Sequence, residues 1–132
     1  MKRAFFMNLI MLACLFSSCG IGFYFKKQII GQYYLIAMDT KEQLNIAYRD
    51  GASNSYSGRV PPRVIELGFS DSLIVAKSIN NVNQVYYYII DMTKDSDISR
   101  EEQYLTGPIS EEEYVGNWKE KINIPLMKIN PN

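Results

Sequence analysis

The chain has no histidine among its 132 residues and only two cysteines, Cys14 and Cys19, both near its start. Without imidazole, the Ser-His-Asp and Cys-His nucleophilic arrangements are excluded, and so is nearly every usual zinc site. Ser-x-x-Lys motifs, glycine-rich phosphate loops and nucleotide fingerprints are also missing. Neither sign of charge is in excess, with 14 Lys and Arg against 14 Asp and Glu. No basic patch or recognition motif points to nucleic acid. No cofactor and no catalytic residue is expected.

What is present begins with an apolar run over residues 4–16, preceded by Lys2 and Arg3 and interrupted only by Asn8. As a helix it would be about 20 Å long. That is short of the ~30 Å hydrocarbon core of a bilayer and fits a secretory signal peptide better than a membrane span. Leu15-Phe16-Ser17-Ser18-Cys19 closes the run and resembles the lipobox of bacterial lipoproteins, with Phe16 standing where leucine is usual. The resemblance implies that residues 1–18 are removed and that the Cys19 thiol is acylated. A thiolate is the strong nucleophile such chemistry needs. One acyl chain holds a protein at a membrane only marginally, and two or three hold it stably.

Cleavage before Cys19 would remove Lys2 and Arg3. The 14 basic residues less 2 leave 12 against 14 acidic ones, a net charge of −2. Cys14 would leave with the signal and Cys19 would be blocked, so no disulfide is expected. Residues 19–30 then form a lipidated, membrane-proximal segment, and 31–132 a single β-rich domain. Phe23-Tyr24-Phe25 followed by Lys26-Lys27 suits a headgroup layer; alternatively Phe23 and Phe25 begin a strand. No acidic residue closely follows Cys19, which points to a periplasm-facing protein on the bacterial cell membrane or outer membrane.

Period-two alternation and β-forming residues predict strands over 32–39, 43–49, 64–69, 72–79 and 84–92, with a short one over 103–106. Stretch 84–92 is apolar on both faces, with Val85, Tyr87 and Ile89 on one and Tyr86, Tyr88 and Ile90 on the other. It therefore belongs inside the sheet. Gly51, Gly58 and Pro61-Pro62 predict an irregular loop over 50–63, and the acidic stretch 93–102 reads as a mobile loop. Ser110 with Glu113 three residues on is a capping box, and Glu111, Glu112 and Glu113 favour the positive end of a helix dipole. Tyr114, Val115, Trp118 and Ile122 form the apolar stripe of that helix, and Pro125 ends it. The expected fold is α+β: an antiparallel meander of five or six strands with one C-terminal helix packed on the sheet.

All ten tyrosines follow residue 18. Tyrosine is enriched at interfaces and binding hot spots, and it also packs in cores with its hydroxyl at the rim. Tyr86 and Tyr88 are open to either reading. Tyr56, Arg59 and Arg63, beside a proline pair, form a candidate contact site. Asp91, Asp95, Asp97, Glu101 and Glu102 are the densest acids. A carboxylate pair is the raw material of glycoside chemistry, and oxygen ligands suit calcium, but 93–102 lacks the glycine and spacing of an EF-hand loop.

The lipobox together with "GFSDSLIVAKS", "YYYIID" and "GPISEEEY" resembles an uncharacterised family of small bacterial lipoproteins over roughly residues 30–120. These motifs are structural, and the resemblance implies no activity. The expected function is a non-catalytic binding or accessory module of the cell envelope, anchored through Cys19 and partnered by an envelope protein. Two rivals are an inhibitor or immunity protein against an envelope-active enzyme or toxin, and a small carboxylate-dependent hydrolase.

Overall fold

The computed structural model describes residues 23–131. The fold is α+β, as expected. Its strands number nine among the described residues and divide into two antiparallel sheets rather than one. The first sheet is a plain meander of β1 (Phe25–Ile30), β2 (Tyr33–Ala37), β3 (Asn45–Arg49) and β4 (Tyr56–Val60). The second contains β5 (Val64–Phe69), β6 (Leu73–Ile79), β7 (Val85–Asp91) and β8 (Leu105–Ser110), again in chain order, and β9 (Met127–Lys128) joins the free edge of β5. A single turn of helix, α1 (Glu101–Tyr104), precedes β8.

The crossover between the sheets is where Pro61 and Pro62 act. Neither can donate a ladder hydrogen bond, so the first sheet stops at Val60. The chain re-enters pairing at Arg63, which exchanges backbone bonds with Ile79, and the next N–H, of Val64, bonds the Leu44 carbonyl at 2.9 Å. Loop 50–63 is therefore shorter than predicted, since its second half is β4. Gly58 and the proline pair mask a five-residue edge strand in the sequence. The acidic stretch is not the free loop expected either, because the Asp95 side chain is wholly buried.

The C-terminal helix, α2 (residues 111–122), starts where the sequence places it, with Ser110 Oγ accepting from the Glu113 N–H at 3.2 Å. Its middle, Tyr114–Trp118, is a π turn. In that wider turn, residues three apart no longer share a face. Tyr114, Trp118 and Ile122 therefore pack on the second sheet, while Val115, expected in the same stripe, stays 53% exposed. Asn123 ends the helix in the left-handed conformation, two residues before Pro125.

The result is three layers: first sheet, second sheet, helix. Leu35, Ile46, Val60, Ile74, Tyr88 and Ile90 fill the space between the sheets. Val75, Tyr87, Ile89 and Ile109 fill the space under the helix, where Tyr87 and Tyr114 stack with ring centroids 3.9 Å apart. Strand β7 lines both interiors, which is why both of its faces are apolar.

Candidate functional site

The predicted contact residues separate into different environments. Arg59 is turned inward by a bulge. Ile46 pairs with Val60 and Ala47 with Gly58, which leaves Arg59 as the unpaired extra residue of β4. A bulge re-aims a side chain that alternation alone would send to the opposite face. The guanidinium grips Asp95 with two hydrogen bonds, Nε to Oδ2 at 2.8 Å and a terminal nitrogen to Oδ1 at 3.1 Å. Tyr33 donates its hydroxyl to the same Oδ2 at 2.8 Å. The guanidinium lies against the rings of Tyr48 and Tyr104, 4.8 Å from each ring centre, within cation–π range. This assembly bolts the acidic stretch onto the first sheet. Burial alone would lower the Arg59 pKa, but the Asp95 hydrogen bond and charge raise it.

Tyr88, a contact candidate that the sequence left open to either reading, is buried between the sheets at 8% exposure. Tyr86 is half-buried against the same core, its hydroxyl 3.4 Å from Gln84 Oε1. Arg63 sits in the crossover, its N–H and carbonyl paired with Ile79. Cys19 lies outside the described residues. Among the described residues, no group of three or more His, Cys, Asp or Glu side chains is arranged to hold a metal ion.

Of the predicted set, Tyr56 alone joins an open aromatic surface, on the outer face of the first sheet. Its ring meets Tyr34 edge-on at 5.4 Å and Phe23 at 5.5 Å. The Lys26 ammonium sits 5.2 Å from the Tyr56 ring, 5.4 Å from Phe23 and 5.8 Å from Tyr34. Lys26 and Phe23 are exposed, and Tyr34 and Tyr56 are half-exposed. Strand alternation places these residues together, because Gln28 pairs with Tyr34, Tyr34 with Ala47 and Ala47 with Gly58 across the sheet.

A second feature is a groove of about 510 Å³ between the β1 edge and the β5–β9 edge, floored by Phe25, Ile29, Leu35 and Leu67. Sequence reasoning missed it because it forms between strands far apart in the chain.

A family described as "Protein of unknown function (DUF3997)" matches residues 30–129. The chain belongs to that family. The DUF3997 domain runs from the last residue of β1 past β9 and so takes in β2 to β9, the helix and the Arg59–Asp95 lock. Phe23 and Lys26, half of the aromatic surface, precede it. No curated protein and no solved structure matches the chain.

Burial raises the pKa of six tyrosines of the domain: Tyr33, Tyr48, Tyr87, Tyr88, Tyr104 and Tyr114. At Tyr33 the hydrogen bond to Asp95 and that carboxylate's charge push further the same way. Unfolded tyrosine ionises near pH ~10, while these phenols keep their protons in the native state. Their contribution is complete below that pH and is lost as pH rises through the native values. Urea midpoints are therefore expected to hold up to about pH 9 and fall steeply above about pH 10. Tyrosinate absorbance from the buried set should rise together with unfolding. Simple titration of all ten tyrosines near pH ~10 with the fold intact would contradict this.

Proposed function

We propose that the protein is a lipid-anchored, non-catalytic binding module of the bacterial cell envelope, and that its outer aromatic face docks an envelope protein. The observation behind this reading is the contact of Tyr56 with Phe23. Phe23 follows the lipobox-like Cys19 by four residues, a span of at most about 14 Å of extended chain. A lipid on Cys19 would therefore hold the Phe23–Tyr34–Tyr56–Lys26 surface at the membrane, where aromatic rings and lysines are favoured. Exposed aromatics of this kind are what interfaces select as anchors. No helix among the described residues is long and apolar enough to cross a membrane, so attachment in this reading falls to the lipid.

The test is site-specific photocrosslinking in cells that make the full chain, with the reactive group at position 56 and, as a control, at Ile98, which is 92% exposed. A discrete adduct from position 56, identified as an envelope protein and absent from position 98, supports the reading. Equal labelling at the two positions, or adducts to lipid alone at position 56, rejects it.

A further inference from the structure

The groove at the open side of the sandwich has a chemistry of its own. The first sheet ends at β1 and the second at β9, and the edges do not meet. Phe25, Ile29 and Leu67 reach from this opening into the core between the sheets. Phe69 and Met127, also in the groove wall, are 49% and 75% exposed. Large apolar side chains left in water on a concave surface mark a binding site more often than a packing defect. The volume, about 510 Å³, falls within the range of small-molecule sites.

The polar groups of the lining narrow the ligand. Lys27 and Lys128 are its only charged residues, and no acid lines it. Lys27 pairs with Leu35, whose side chain is buried between the sheets, so Lys27 shares the inward-facing side of the edge strand. Lys128 pairs with Glu66, on the face of β5 opposite Leu67, so its side chain leaves β9 on the helix side and meets the groove at its rim. Both lysines are exposed, and neither forms an ion pair among the described residues. An inward lysine can also serve to discourage strands from adding to an open edge. That role alone does not account for the wide apolar floor. An apolar trough with one inward cation, a second at its rim and no acid complements an apolar tail that ends in an anion.

We propose that the groove binds a fatty acid, with the acyl chain along Phe25, Ile29, Leu35 and Leu67 and the carboxylate at Lys27, Lys128 adding its charge from the rim. Binding is non-covalent and does not depend on the anchor at Cys19, so it stands or falls separately from the envelope reading.

The probe is dodecanoate below its micelle concentration, titrated calorimetrically into the full chain carrying Cys19→Ala, beside dodecyltrimethylammonium of equal tail length. Saturable binding of one dodecanoate per chain is expected, with the cationic amphiphile about tenfold weaker or more. Lys27→Gln should weaken dodecanoate by about tenfold, the size of one charge-assisted hydrogen bond, and Lys128→Gln, at the rim, by less. Phe69→Glu, at an exposed position that folding does not require, should abolish binding. Equal affinity for the two amphiphiles, no saturable binding, or indifference to both lysine changes would overturn the proposal. So would a dimer, seen by sedimentation, that Phe69→Glu dissociates, since a second copy would then fill the groove. If Cys19→Ala binds dodecanoate but acylated protein from membranes does not, the groove belongs to the protein's own lipid and the free fatty acid is rejected as its occupant.

Discussion

Asp95→Ala is expected to destabilise the domain by about 3–5 kcal/mol, a large share of the roughly 5–15 kcal/mol that keeps a domain folded. The Asp95 side chain is 0% exposed and that of Arg59 is 8%. Truncating the acid therefore leaves a buried guanidinium against two tyrosine rings with no counter-charge and takes away the acceptor of the Tyr33 hydroxyl. The cost comes mainly from the orphaned charge, so a joint replacement should behave differently. Arg59→Met with Asp95→Leu removes both charges and fills similar volume, and such exchanges are often neutral. Urea midpoints of the single and double variants decide the matter. A double variant as unstable as Asp95→Ala, or an Asp95→Ala loss below about 1 kcal/mol, the size of an exposed ion pair, would mean that the pair is not the bolt described.

Gly68→Ala is the second large effect. A β-carbon on Gly68 would collide with the Pro125 carbonyl oxygen and would stand 2.8 Å from Ile124 Cγ2 and 3.0 Å from Leu126 Cδ2. Backbone cannot yield as a side-chain tip does, so segment 124–126 must move away from β5. Two residue pairs, Leu67 with Met127 and Glu66 with Lys128, and one hydrogen bond from the Ile129 N–H to the Ile65 carbonyl at 3.0 Å hold this short tail to the sheet. The strand is expected to detach, at a cost of about 1–3 kcal/mol, typical of overpacking. Hydrogen exchange would show faster amides over 124–129 while β6 and β7 stay protected. Unchanged exchange in the tail would contradict the packing. Dodecanoate binding should weaken in the same variant, because 125–130 forms one wall of the groove.

Local chemistry made much of this fold legible in advance. The Ser110 cap is a short-range signal, and the half of the capping box in which its Oγ accepts from the Glu113 N–H formed. The double-faced apolar pattern of 84–92 announced an interior strand, and β7 is one. What escaped had no local signature. Alternation assigns Arg59 to the face opposite Val60, and only the bulge at Gly58–Arg59 turns both inward. A glycine within a strand can mark such a bulge, but beside Pro61-Pro62 it read as loop. Asp95 stood among acids that resemble a solvated run, and its partner lies 36 residues away. Tyr88 could have faced either way, because a second sheet that would bury it is not written in its own strand. The groove is a gap between the edges of two sheets, and no stretch of sequence encodes a gap.

The central claim, attachment to the envelope through Cys19, is tested most directly by the intact mass of the full chain recovered from bacterial membranes, alongside Cys19→Ala. The account predicts a mass equal to residues 19–132 plus acyl chains in the native protein, and no acylated form in the variant. An unacylated mass that still includes residues 1–18 would contradict it and would withdraw the aromatic surface from the membrane.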